Sequence, residues 1–169
     1  MKIAFLDRDG TINKDYPDED WKDCTTTEIL EGSIEGLLSL LESGYEIIIV
    51  TNQYIINEGI ITIMQYHDFQ HKLLKLLKSN NIEILDTFYC PHTDVESCNC
   101  KKPKTGLIDL ALKKYPNIDL SNSIYIGDSY SDQELASQFD LKFFGINGHY
   151  FKTCYHSINE VVLTNREVL

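Results

Sequence analysis

The sequence predicts an α/β fold, a Rossmann-like three-layer α/β/α sandwich with helices on both faces of a parallel sheet. Short apolar runs alternate with segments of helical period along the chain, which is typical of such sheets. The 169 residues suffice for one domain with a core, but not for two ordinary ones. Because no repeat, low-complexity tract or linker is found, residues 1–169 are expected to form a single domain without a large cap domain.

Five short apolar runs are predicted to be strands. In chain order they are Ile3–Leu6, Tyr45–Val50, Asp86–Tyr89, Ser123–Ile126 and Leu141–Ile146. The first of them is expected to lie at the centre of the sheet.

Capping residues and apolar spacing predict the helices. Ser33 can cap a first helix, which Gly44 ends. Thr62 and Gln65 form a capping-box pattern before a second helix, which ends near Ser79. Shorter helices are expected at Gly106–Lys114, at Asp132–Phe139 and after Ser157.

The acid-rich segment Asn13–Thr27 has no sustained period and contains Pro17 and Trp21. It is therefore predicted to be a loop that leaves the first strand. Loops at the carboxyl ends of parallel strands are where such sheets bind ligands.

The composition restricts the partners. A net charge of −11, without a basic run, repels polyanions, so no nucleic-acid partner is expected. There is no apolar signal segment and no apolar run of about 18 residues, so no membrane association is expected. We expect a cytoplasmic monomer that acts on a small molecule.

Two acids follow the first strand. Asp7 and Asp9 both leave its carboxyl end, where Asp7 can attack phosphorus and Asp9 can exchange protons. Such an attack requires a metal ion and fixed donors to neutralise the phosphoryl charge. Gly10 would turn the chain sharply and free backbone N–H groups for phosphate. The alternative interpretation is a polar turn after a strand.

Polar residues also end the second strand and precede the third helix. Thr51, Asn52 and Gln53 offer a hydroxyl and two amides to phosphate oxygens. Lys101 and Lys102 place a cation where it could contact both a phosphate and an attacking carboxylate. The alternative for the lysines is a solvated basic turn.

The fourth strand is followed by further acids. Asp128 is placed to hold Mg²⁺ through oxygen, the ligand atom that this ion prefers. Asp132 is either a second acidic partner or a residue favoured at a helix start. Tyr54 and Tyr130 follow the strand-end motifs and could line the substrate opening.

Four clustered side chains predict a zinc site in a loop at about residues 90–100. Cys90, His92, Cys98 and Cys100 supply three thiolates and an imidazole, a full tetrahedral set without an open position. Such a site is structural, and it would fix the loop that delivers Lys102. The alternative is a cluster of thiols without metal.

The four strand-end motifs, in this order, resemble the haloacid dehalogenase superfamily of aspartate-nucleophile phosphatases. The resemblance covers about residues 2–148. It implies a role for each matching residue. Asp7 is the nucleophile, Asp9 the acid/base, Thr51 a phosphate ligand and Lys102 the neutralising cation, while Asp128 joins Asp7 and the Asp9 carbonyl on Mg²⁺.

The zinc loop narrows the resemblance to the small, capless branch that contains the D-glycero-D-manno-heptose 1,7-bisphosphate phosphatases and the histidinol-phosphate phosphatases. This implies a Mg²⁺-dependent phosphatase with an aspartyl-phosphate on Asp7, most similar to the heptose enzymes, which remove the 7-phosphate. Two departures weaken the case for a bisphosphate. Lys101 stands where the heptose enzymes typically have Arg, and Ser129 stands where they have Lys.

Several alternatives stay open at this stage. The acidic Asp15–Asp23 loop would suit a substrate that carries an amine, so histidinol phosphate or another monophosphate is the first of them. Others are an inactive zinc-stapled binding module, a phospho-acceptor signalling domain and a nucleic-acid 3′-phosphatase, a relative of this branch. The acidic composition argues against the last of these.

Overall fold

A single parallel sheet organises the structure, which is a computed structural model describing residues 1–148, 151–167 and 169. The strands are β1 (Ile3–Leu6), β2 (Glu46–Asn52), β3 (Asp86–Cys90), β4 (Ile124–Gly127), β5 (Lys142–Ile146) and β6 (Cys154–Tyr155). Their order is β3-β2-β1-β4-β5-β6, and every pair is parallel. The predicted central position of the first strand is therefore confirmed. The short β6 was not expected from the sequence.

Helices cover both faces of this sheet. They are α1 (Ser33–Glu42), α2 (Ile63–Ser79), α3 (Gly106–Lys114), α4 (Tyr130–Gln138) and α5 (Ile158–Thr164). One face carries α1, α2 and α5, and the other carries α3 and α4, which confirms the α/β/α sandwich. The described part of the chain contains no inserted cap domain, and none of its helices combines the length and apolarity needed to cross a membrane.

The central strand is buried on both sides, as expected of a parallel sheet that lies between two helical layers. Leu6 belongs to the same apolar cluster as Leu37 of α1. Phe5, its neighbour in sequence, belongs to the opposite cluster with Ile108 of α3. All four side chains are completely buried, so the backbone that leads to Asp7 is fixed from both faces.

Two helix starts differ from the sequence predictions. Ser33 is the first residue of α1 rather than its cap, because Gly32 takes the cap position with a left-handed φ of 75°. Ser33 Oγ instead donates to the Thr11 carbonyl at 3.3 Å. Helix α4 begins at Tyr130 because Ser129 is its cap, in a reciprocal capping box with Asp132.

The acid-rich loop is partly ordered by its own apolar contacts. Residues Asp18–Asp23 form a 3₁₀ helix, and Trp21 is buried in a small cluster with Tyr66 and Phe69 of α2. The Trp21 and Phe69 rings meet edge to face, with centroids 5.2 Å apart. This cluster holds the loop over the carboxyl edge of the sheet.

Candidate active site

The carboxyl ends of β1, β2 and β4 surround one open cavity of about 230 Å³. This is the place where parallel sheets bind ligands. Most of the side chains predicted from the sequence line it: Asp7, Asp9, Thr51, Asn52, Gln53, Lys102 and Asp128. Lys101 does not, although it is adjacent to Lys102 in the chain.

An ion-pair network lies at the bottom of the cavity. Lys102 Nζ donates to Asp7 Oδ1 at 2.5 Å, to Asp132 Oδ1 at 2.7 Å and to the Val50 carbonyl at 3.0 Å. These contacts use all three protons of the ammonium group. Asp132 also accepts from the Tyr125 hydroxyl at 2.9 Å, so it is an acidic partner of the site as well as part of the α4 capping box.

Burial and crowding of like charges control ionisation here. Burial raises the pKa of Asp7 well above its usual range, and the charges of Asp132, Asp128 and Asp9 add to this effect, whereas Lys102 opposes it. For Asp128, burial and the Asp132 charge raise the pKa to about 7. Burial lowers the pKa of Lys102, but its two carboxylate partners outweigh burial and raise it. The lysine therefore stays charged.

The carboxylates fit a divalent cation. Oxygens of Asp7, Asp128 and Asp132 all lie within 4.8 Å of one another. When ionised, these three groups face the single charge of Lys102, which leaves two negative charges for a divalent ion to balance. Oxygen donors are the ligands that Mg²⁺ prefers.

Gly10 makes room for this cluster. It has a left-handed φ of 83°, and a β-carbon at this position would lie 2.0 Å from Asp128 Oδ2. Its N–H donates to the Asn13 carbonyl at 2.7 Å, so this group is not free for phosphate as the sequence suggested. The glycine is therefore required for the close approach of Asp128.

The residues after β2 have separate roles. Asn52 accepts from the Lys102 N–H at 2.8 Å and donates to the Lys102 carbonyl at 3.2 Å, so it fixes the backbone of the lysine. Gln53 Nε2 donates to Asp9 Oδ2 at 2.7 Å and to Thr51 Oγ1 at 3.0 Å. Thr51 is almost completely buried at the base of the cavity.

Asp9 is held by several donors. The Arg8 guanidinium meets its carboxylate with two prongs, Nε to Oδ1 at 2.9 Å and Nη2 to Oδ2 at 2.8 Å. Asn13 Nδ2 donates to Oδ1 at 2.8 Å. Sequence reasoning missed Arg8, although an arginine between two acids in a chain with only one other, Arg166, was a visible signal.

The four side chains of the predicted zinc site lie close enough together to bind one metal ion. The ligand atoms of Cys90, His92, Cys98 and Cys100 all lie within 4.8 Å of one another, and His92 Nδ1 is 3.1 Å from Cys100 Sγ. Burial raises the pKa of the Cys98 thiol, but the N–H groups of Lys101 and Cys100 and contacts with the neighbouring thiols outweigh burial and bring it to about 6. Three sulfurs and one imidazole nitrogen fit the tetrahedral coordination of zinc.

The rim of the cavity combines aromatic and acidic groups. The Tyr54 hydroxyl donates to both oxygens of Asp18 at 3.0 Å, and Lys101 Nζ lies 4.5 Å from the centre of the Tyr54 ring. Lys101 also pairs with Asp94 at 2.8 Å, which directs it away from the cavity. Tyr130 is largely exposed and lines a different depression.

Comparisons with known proteins agree with this geometry. The family model described as polynucleotide kinase 3 phosphatase matches residues 2–155. A probable D-glycero-D-manno-heptose-1,7-bisphosphate 7-phosphatase of Thermoplasma volcanium is 40% identical over 144 residues, which cover 85% of this chain and 97% of that protein. The bifunctional histidine biosynthesis protein HisB of Blochmanniella floridana is 32% identical over 165 residues, which cover 97% of this chain and 45% of HisB.

A solved structure shares the fold. The D,D-heptose 1,7-bisphosphate phosphatase from B. bronchiseptica, complexed with magnesium and phosphate, superposes with a TM-score of 0.85 at 21% identity over 100% of both chains. The family model covers most of the sequence, and the Thermoplasma relative is matched over nearly its full length. The chain therefore belongs to this phosphatase family, in its haloacid dehalogenase-like branch of D,D-heptose 1,7-bisphosphate phosphatases, and is related to the HisB proteins.

Proposed function

We propose that the protein is a Mg²⁺-dependent phosphatase that removes the 7-phosphate of D-glycero-D-manno-heptose 1,7-bisphosphate. One observation carries the proposal: the buried Asp7 carboxylate is held by Lys102 at 2.5 Å, beside Asp128 and Asp132, at the base of a cavity sized for a small ester. The name of the 40% identical Thermoplasma relative supports the choice of substrate.

The reaction takes two steps at Asp7. Its carboxylate oxygen attacks phosphorus, and the bond between phosphorus and the leaving oxygen breaks while Asp9 gives a proton to that oxygen. A water molecule then attacks the phosphorus of the aspartyl-phosphate, and Asp9 takes its proton as Asp7 is released. Lys102 stabilises the charge on the phosphoryl oxygens, and the Thr51 hydroxyl, whose oxygen accepts from Gln53, offers a donor at the same end of the cavity.

Two metals complete the proposal. Mg²⁺ would be held by Asp7, Asp128 and the Asp9 carbonyl, with Asp132 as a further candidate, and when bound it supplies positive charge against the phosphoryl oxygens. Zinc on Cys90, His92, Cys98 and Cys100 would be structural and would fix the loop that carries Lys102.

Release of inorganic phosphate tests the proposal directly. Heptose 1,7-bisphosphate, histidinol phosphate and a 3′-phosphorylated oligonucleotide are compared with Mg²⁺ present. We expect turnover of the heptose ester, and a loss of at least about 10³-fold in Asp7→Asn, because the nucleophile is absent. Asp109→Asn, on the exposed side of α3, is the matched control. Retained turnover in Asp7→Asn would remove Asp7 from the role of nucleophile.

Histidinol phosphate is the second candidate substrate. Asp15 and Asp18 line the cavity and would attract a cationic imidazole or amine, whereas Ser129 supplies no charge for a second phosphate. The HisB relative supports this choice as well. Faster release of inorganic phosphate from histidinol phosphate than from the heptose bisphosphate would identify histidinol phosphate as the substrate.

We also propose that the protein is a cytoplasmic monomer that does not act on nucleic acid. The net charge of −11 supports the last part, because polyanions are repelled. Light scattering after size-exclusion chromatography tests the oligomeric state, and the oligonucleotide in the same substrate series tests the exclusion of nucleic acid.

A further inference from the structure

Arg8 is the largest fully buried side chain among the described residues, with 1% of its surface exposed. It leaves the loop after β1 between Asp7 and Asp9. A buried guanidinium is costly unless its charge and donors are matched. The two-pronged pair with Asp9 matches the charge, and the third branch, Nη1, donates to Gln70 Oε1 at 3.1 Å.

Aromatic rings enclose the same guanidinium. Its central carbon lies 5.0 Å from the ring centre of Phe69, 5.4 Å from that of Tyr66 and 5.7 Å from that of Trp21. Contacts of this kind favour a planar cation and keep water away from it. Gln70 is itself fixed, because its Nε2 donates to Thr87 Oγ1 of β3 at 3.1 Å. Arg8 is therefore rigid.

The rigid guanidinium faces a carboxylate that still reaches the cavity. The Asp9 side chain is 13% exposed and lines the cavity, whereas Arg8 lies behind it and does not line it. Arg8 therefore does not meet the substrate itself and acts on the cavity through residues that line it, most directly through the Asp9 carboxylate. Trp21 lines the cavity and its ring also contacts the Arg8 guanidinium, so the acid-rich loop packs against Arg8 and Asp9 together.

We propose that Arg8 is a positioning residue that fixes the orientation of Asp9 for proton transfer to the leaving oxygen. This inference rests on the proposed function, in which Asp9 is the acid/base. The guanidinium holds both Asp9 oxygens through one rigid planar group. In Arg8→Lys only two separate amides remain on that carboxylate, Asn13 on Oδ1 and Gln53 on Oδ2, and they fix its orientation less tightly. Arg8 therefore contributes the orientation of the Asp9 carboxylate as well as a positive charge.

The substitution Arg8→Lys tests this, because it keeps the positive charge and removes the two-pronged grip. We measure kcat/KM for two esters: heptose 1,7-bisphosphate, whose alkoxide must be protonated as it leaves, and 2,4-dinitrophenyl phosphate, whose anion leaves without a proton. We expect a loss of about 10²-fold for the heptose ester. For the dinitrophenyl ester we expect a change within about threefold. Equal losses for both esters, or none for either, would overturn the proposal.

A second pair of variants separates this inference from the proposed function. Asp9→Asn should show the same dependence on the leaving group, and Arg8→Lys added to Asp9→Asn should lower the rate no further. If Asp9→Asn is inactive while Arg8→Lys behaves as the unchanged protein, only the role of Arg8 is overturned. If Asp9→Asn retains full activity, Asp9 is not the acid/base, and the mechanism given under the proposed function is wrong.

Two further variants control for the chemical change itself and for a loss of folding. Arg166→Lys makes the same change on an exposed arginine and should leave both rates unchanged. If Arg8→Lys does not fold, Gln70→Leu replaces it, because it removes the acceptor of Nη1 and loosens the guanidinium. A several-fold loss confined to the heptose ester would then support the proposal, and equal losses for both esters would overturn it.

Discussion

Replacement of Lys102 by Met removes the ammonium group that contacts Asp7 and Asp132 in a buried group of acids. The ammonium contacts Asp7, Asp132 and the Val50 carbonyl within 3.0 Å, and the side chain is 3% exposed. Methionine fills a similar volume but neutralises nothing. The carboxylates would then face one another in a poorly hydrated site.

The expected cost is large. Breaking a buried ion pair by removing one partner lowers the free energy of unfolding by about 3–5 kcal/mol, because the remaining charge is uncompensated. With a urea m-value of about 2 kcal/mol/M, the urea midpoint should fall by roughly 1.5–2.5 M. Proton uptake by Asp7 or Asp128 would reduce this cost at low pH, so the unfolding is followed at pH 8 in buffer without Mg²⁺.

Lys114 provides the matched control. It pairs with Asp86 at 2.6 Å, but its side chain is 58% exposed, so Lys114→Met should shift the midpoint only slightly. Adding Mg²⁺ should recover much of the stability lost in Lys102→Met, since the ion supplies positive charge to the same acids. Equal midpoints for the two variants would refute the view that Lys102 neutralises a buried acidic cluster.

Three further predictions concern the metal sites. Because Asp128 has a pKa of about 7 in the folded protein, far above its unfolded value, the metal-free protein binds an extra proton between about pH 4 and 7 and loses stability as pH rises through that range. Thermal unfolding should accordingly show Mg²⁺ stabilising the fold more at pH 8 than at pH 5.5, and Asp128→Asn should remove most of this difference. Gly10→Ala should weaken Mg²⁺ binding by about 10–100-fold in calorimetry, whereas Gly59→Ala, with a similar positive φ and nothing within 4 Å of the new β-carbon, should not. Cys98→Ser should release zinc, measured by elemental mass spectrometry, and lower kcat through Lys102; full zinc content in this variant would count against the four-ligand site.

The strand-end motifs were predictable because parallel strands leave the sheet at one edge. Once β1 is recognised as a buried strand, Asp7 must lie at that edge, and the same reasoning places Thr51 and Asp128 there. No knowledge of side-chain packing is needed for this step. The capping box of Thr62 and Gln65 is equally local, and the structure confirms it.

Other features depend on contacts that no local pattern encodes. The Asn52 side chain lines the cavity and also makes two hydrogen bonds to the backbone of Lys102, which lies 50 positions further along the chain. Arg8 is enclosed by rings from the acid-rich loop and from α2, which come together only in the folded chain. Asp94 directs Lys101 away from the cavity, and no sequence motif singles out Asp94.

The separation of the reacting groups along the chain affects how the site assembles. Asp7 and Lys102 are 95 positions apart, and Asp132 lies 30 positions further on. A ribosome adds roughly 5–20 residues per second, so Asp7 is synthesised several seconds before Lys102. Asp132 is added later still. The nascent protein should therefore be unable to hydrolyse any ester until β4 has docked beside β1, and catalysis should begin abruptly at that moment.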